Sequence, residues 1–186
     1  MALYRLFIIS IAFLLCAASC MPRKTLSWNE EVQLQDGSVI WIKRSEFFNP
    51  SEGRELGSVA GSLGMHLGAR IELKWQQKNL IWEALLTPII LQIDHGAPVV
   101  VATIVNCNQY DRMRRPRNAY VAFRYGQGGW SEVDVEHLQF LKDANLLVNW
   151  EGFGKRTTVS QSRELNAQTK VSKSFLKVYL NARPCD

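Results

Sequence analysis

Along much of the chain, apolar and polar residues alternate with a period of two. In residues 28–37, Val32 and Leu34 interleave with Glu31, Gln33 and Gln35, the pattern of a strand with one buried face. Asp36-Gly37 follows, and both residues tolerate positive φ, so a hairpin turn is expected before a returning strand over 39–48. Residues 69–76 alternate most cleanly, with Ile71, Leu73 and Trp75 on one face and Arg70, Glu72, Lys74 and Gln76 on the other. A turn at 77–79 returns that strand into 80–86, and Pro88 is expected to end the run.

Further strands are expected at 89–93, 99–105 and 120–125, closed by turn residues at 94–98 and 126–129. Residues 99–105 are apolar on both faces, as in a central strand. The stretch 130–140 fits either a strand or a short helix. Residues 146–150 fit a strand and 163–170 a short polar helix. Ser174, Leu176, Val178 and Leu180 alternate in a last strand. The pattern predicts a mostly β fold: one antiparallel sandwich or partly open barrel of about eight or nine strands, with one or two short helices.

The first nineteen residues break this pattern. Arg5 supplies a positive start, residues 6–15 are uncharged and mainly apolar, and Cys16-Ala17-Ala18-Ser19 is small. Ten residues of helix rise about 15 Å, half of a hydrocarbon core, which reads as a signal peptide rather than a span. Ala18-Ser19-Cys20 resembles the lipobox of bacterial lipoproteins, which would make Cys20 an acylated first residue; Ala17 stands where Leu is more usual. Ordinary signal-peptidase cleavage after small residues is the alternative. The resemblance, with Met21 rather than Asp after the cysteine, implies an outer-membrane anchor facing the periplasm. The expected organisation is a signal peptide over 1–19, a lipidated Cys20 with tether over 20–27, and one globular domain over 28–186.

Export changes how the charge and cysteines read. Losing residues 1–19 removes Arg5 alone, so a net charge of +5 becomes +4. In the envelope the available anions are lipid headgroups and proteins rather than nucleic acid. Cys16 leaves with the signal, so Cys107 and Cys185 remain as a pair in an oxidising compartment. A bridge would close nearly eighty residues and stabilise by about 4.5 kcal/mol in the chain-entropy model. Two separate thiols are the alternative.

The sequence Trp28…Glu31-Val32…Asp36-Gly37…Arg44, with residues 98–102, then Arg115-Pro116…Tyr120-Val121…Phe123-Arg124-Tyr125…Trp130, resembles a family of small proteobacterial lipoproteins without an established activity. The resemblance implies the envelope address and a single domain.

The chemistry-bearing residues are sparse. His66, His95 and His137 form no metal-ligand spacing, and no cofactor motif is present. Ser174 and Lys177 match S-x-x-K in letters but fall on opposite faces of an alternating strand. The glycines of the 49–68 stretch lack the Lys and Ser/Thr of a phosphate loop, and read as a long surface loop able to carry recognition. Arg112, Arg114, Arg115 and Arg117 crowd into six residues. Guanidinium binds phosphate and carboxylate bidentately, so this loop is the candidate contact for anionic lipid or an acidic envelope partner.

Three functions fit: a non-enzymatic envelope lipoprotein that binds or supports another component, an immunity or inhibitor protein against a periplasm-acting toxin, and a hydrolase. The last requires Asp94 and His95, or Glu136 and His137, to converge in one pocket.

Overall fold

The computed structural model describes residues 23–49, 64–104, 107–114, 119–138, 144–148 and 156–168. The chain divides into two compact units, residues 1–24 with 48–66, and residues 25–47 with 67–186. In the first, buried Phe48 meets His66 edge to face, ring centroids 5.5 Å apart.

The second is a β-sandwich. One sheet runs in the order β4-β3-β2-β1-β9, from β1 (Lys24–Gln33), β2 (Val39–Asn49), β3 (Met65–Trp75), β4 (Lys78–Ala84) and the two-residue β9 (Arg156–Thr157). The other is β5-β6-β7-β8, from β5 (Thr87–Asp94), β6 (Ala97–Thr103), β7 (Tyr120–Gly126) and β8 (Gly129–Val133). All described pairings are antiparallel except β1 with β9. The mostly β expectation is met.

The inner faces follow the alternation. Val32, Leu34, Ile42, Ile71, Leu73, Leu80 and Trp82 of the first sheet pack on Leu91, Val100, Ala102 and Val121 of the second. Trp82 meets Phe123 edge to face across the gap at 5.7 Å, a geometry the ring quadrupoles favour. The second sheet is covered on its far side too: Ile90, Val99, Val101 and Ala122 pack on Val135 and Leu138. That double burial is why β6 reads as a continuous apolar run.

Several boundaries differ from the sequence reading. Residues 24–27, expected as tether, belong to β1: Leu26 is half-buried in phase with Trp28, and the Ser27 and Ser45 hydroxyls lie 2.8 Å apart. Asn49 and residues 65–68 are strand rather than loop, while residues 50–63 lie outside the described residues. Pro88 does not end a run. It is the second residue of β5, an edge strand, beside a register shift between Pro88 and Ile90, where a missing N–H is tolerated. The segment 107–118 opens with a helix, α1 (Cys107–Arg112).

After β8 comes a 3₁₀ turn, Val135–His137, capped by Asp134. Helix α2 (Val159–Gln168) starts before the expected 163. Thr158 and Gln161 cap it reciprocally: the Gln161 N–H donates to Thr158 Oγ1 at 3.4 Å, and the Thr158 N–H to Gln161 Oε1 at 2.9 Å. The expected final strand at 174–180 lies outside the described residues.

Gly68 fixes the passage from one sheet to the other. Its φ is +150°, and a Cβ there would stand 2.3 Å from the Ala84 carbonyl oxygen and 2.8 Å from Leu85 Cα. Only glycine lets β3 approach the end of β4 this closely.

Candidate functional site

In place of the strand expected over 146–150, residues 144–148 form an irregular strap across the sandwich, and 149–150 lie outside the described residues. The strap's backbone is satisfied largely by side chains, with one backbone bond to β5, rather than by a ladder. Asn145 Nδ2 donates to the Gln33 carbonyl at 2.9 Å and the Leu91 carbonyl at 2.7 Å, while its Oδ1 accepts the Leu91 N–H at 2.9 Å, joining the two sheets. Asn166 of α2 accepts the Val148 N–H at 2.9 Å and donates to the Leu146 carbonyl at 2.8 Å. Leu146 N–H reaches the Ile89 carbonyl at 3.2 Å.

The strap's Leu147 is held by a buried charge cluster. Its N–H donates to Glu30 Oε1, and its carbonyl accepts from Arg44 Nη1 at 2.5 Å. Arg44 Nε donates to Glu46 Oε1 at 2.7 Å, and Arg44 Nη1 lies 3.7 Å from Glu30 Oε2. Trp28 Nε1 donates to Glu30 Oε2 at 3.1 Å, and the Arg44 guanidinium lies 5.2 Å from the Trp28 ring centroid. Glu30, Arg44 and Glu46 are wholly buried. Burial pushes the Glu30 carboxyl above its ordinary value, against the opposing pull of Arg44 and the donated N–H groups. Closed to solvent, with Leu147 held at both its N–H and its carbonyl, the cluster is a structural clamp on the strap. Sequence reasoning missed it, although Glu30 is in phase with Val32 and Leu34.

The sandwich has two unlike ends. The described hairpin turns, at 36–37, 76–77, 95–96 and 127–128, follow upward strands β1, β3, β5 and β7 and gather at one end. A half-open cavity of about 280 Å³ lies there, lined by Leu34, Gln35, Asp36, Gln92 and Ile93. It is near the lower limit for a small-molecule site. Ser38 donates its hydroxyl and N–H to Asp36 and holds that carboxyl below its ordinary value.

The hydrolase candidates do not converge. Asp94 and His95 sit at the hairpin end, where His95 is 84% exposed and Asp94 is paired with Arg124. Glu136 and His137 follow β8 at the opposite end, with His137 85% exposed and 3.6 Å from Asp134. The eight residues of β5 separate the ends by about 26 Å. Among the described residues no group of three His, Cys, Asp or Glu could hold a metal, and no helix is long and apolar enough to cross a membrane.

At that opposite end the chain enters β1, β4 passes to β5 through Leu85-Leu86, and β6 passes to β7 through α1. Buried Gln109 and Tyr110 anchor α1, and half-buried Met113 packs on the main core. The Met113 N–H donates to the Gln109 carbonyl at 2.9 Å, and the Arg114 N–H to the Asp111 carbonyl at 3.0 Å; Arg114 takes φ +60°. This anchorage leaves Arg112 and Arg114 exposed. Thr87 pairs with Thr103, so the Leu85 connection and the α1 crossover leave the sheet from the same rung. Leu85 is 43% exposed.

Arg115 and Arg117 lie outside the described residues, as do Cys20 and Cys185, while Cys107 opens α1 with an exposed side chain. No protein-family model, no curated protein and no solved structure matches the chain.

Proposed function

We propose that the chain is a bacterial envelope lipoprotein: exported by residues 1–19, anchored through acylated Cys20, and serving a non-enzymatic binding role. The resemblance to small proteobacterial lipoproteins belongs to this proposal, as does an outer-membrane position facing the periplasm. The observation that carries it is the shared end of the sandwich. By strand topology, exposed Arg112 and Arg114 lie at the end of the sandwich at which β1 begins, so an anchor four residues before β1 would let basic side chains and lipid share the same anionic surroundings. A Cys107–Cys185 bridge would pin the C-terminus in the oxidising compartment.

The test is the intact mass of membrane-extracted protein beside a Cys20→Ala variant, with and without reductant. An acyl increment that the variant loses supports the anchor, and a gain of one hydrogen per released thiol supports the bridge. A bare mature mass in the soluble fraction refutes the anchor. Replacing Arg112, Arg114, Arg115 and Arg117 together by Ser is expected to weaken binding to anionic liposomes while leaving the fold intact; unchanged binding refutes the arginine contact.

A further inference from the structure

We infer that the sandwich stands end-on against the anionic leaflet that holds its anchor, with Leu85, Arg112 and Arg114 at the headgroups and the hairpin turns pointing away. The inference rests on the anchor proposed above and adds an orientation to it.

The tether is short. β1 begins at Lys24, so only residues 21–23 separate it from Cys20. Four steps of chain reach at most about 14 Å, whereas the hairpin end lies about 26 Å further along the strands. The connection end is therefore the one held at the bilayer surface. So short a link makes any contact there intramolecular, and weak contacts suffice at the resulting effective concentration.

The chemistry of that end suits headgroups. Leu85 projects at the crossover between sheets, its backbone fixed against Gly68, so its exposure is built into the fold. Arg112 and Arg114 stand on the neighbouring crossover and can pair with phosphate oxygens. Among the described residues, the acidic side chains at or near this end are Glu83, two residues before Leu85 and 3.8 Å from Arg70, Asp111 on α1 itself, and Glu132, Asp134 and Glu136 at the end of β8 and after it, at the opposite edge of the sheet from β5. Among the described residues, the other large exposed apolar side chains, Val39, Trp41 and Ile81, lie on the outer face of the first sheet. There β3 interposes Arg70, Glu72 and Lys74 between β2 and β4, which suits water better than lipid.

The experiment uses the full lipoprotein in vesicles of phosphatidylethanolamine and phosphatidylglycerol, its acyl mass verified. An environment-sensitive fluorophore is placed in turn at Leu85→Cys, Ile81→Cys and His95→Cys, with labelled wild type as the blank for native thiols. Blue-shifted emission and quenching by spin-labelled lipid at position 85, with neither at 81 nor 95, is expected. Adding Arg112→Ser and Arg114→Ser should reduce the quenching at 85. Aqueous emission at all three positions with the acyl mass present overturns the orientation and leaves the anchor standing. Quenching at 81 instead means that the sheet lies flat, and also overturns it. A protein without the acyl mass removes the anchor and the orientation together.

Discussion

Replacing Arg44 by Met takes the cation from a buried site and leaves Glu30 and Glu46, both without solvent access, facing each other's charge. Removing one partner of a buried ion pair costs about 3–5 kcal/mol. The Leu147 carbonyl also loses its donor, which moves the expected loss toward the top of that range. The sign with pH follows from the carboxyls. Glu30 is already raised above 4.5 by burial, and Arg44 is what pulls it down. Without Arg44 the folded state holds the proton more tightly still. A folded state that binds more protons loses stability as pH rises through the window above the unfolded value. The variant should therefore be least stable near pH 8 and recover near pH 5, read by urea unfolding followed through tryptophan fluorescence. A second variant sharpens the reasoning. Converting Glu30, Arg44 and Glu46 together to Met or Leu removes every charge, a change that is often neutral or stabilising in other buried triads. Here it orphans the Leu147 N–H, the Leu147 carbonyl and Trp28 Nε1. Each unsatisfied group costs about 1–3 kcal/mol, so the triple variant should stay well below wild type. Wild-type stability in the triple variant, or a loss below about 1 kcal/mol for Arg44→Met, would refute the clamp.

Gly68→Ala should destabilise by about 3 kcal/mol in the same unfolding assay, because its Cβ meets fixed backbone; Gly37→Ala, with nothing within 4 Å, should lose only about 1–2 kcal/mol from its positive φ. Asn145→Ala should cost about 2–3 kcal/mol by leaving the Leu91 N–H without a partner. Asn145→Asp should cost more than Ala at neutral pH and less in acid, since its carboxylate would face the Gln33 and Leu91 carbonyls; equal losses at both pH values would contradict that geometry. Thr158→Ala should weaken α2 by about 1 kcal/mol, seen as faster hydrogen exchange in its first turn.

What the sequence made legible was the part governed by local rules. Ile71, Leu73 and Trp75 announce their strand because one face is buried, and Asp36-Gly37 announces its hairpin because positive φ is needed there. The sandwich class follows from such elements repeated. The missed parts depend on distant partners. Helix α1 is six residues long and carries no apolar period, and its Gln109 is buried by context. The strap looks like a short apolar strand, yet it bonds to side chains on β1, β2 and α2 and to backbone groups of β1 and β5. Two misses had signals. Glu30 shares a face with Trp28, Val32 and Leu34, and Arg44 with Ile42 and Phe48, so polar residues in apolar phase marked the cluster. Thr158-x-x-Gln161 marked the start of α2. Of the candidate site, the arginines were legible by composition, whereas their place at the end where β1 begins required the strand topology.

The strap also sets an order of assembly. The hairpins join residues close in the chain and can form early. Residues 145–148 bind partners 54 to 117 positions upstream, so they have nothing to dock on until both sheets are in place. Their docking is expected to follow the pairing of the sheets. An undocked strap would leave Glu30, Arg44 and Glu46 open to water and the sheets free to separate. The interval before residues 144–148 arrive is when this protein is most exposed to proteases and chaperones.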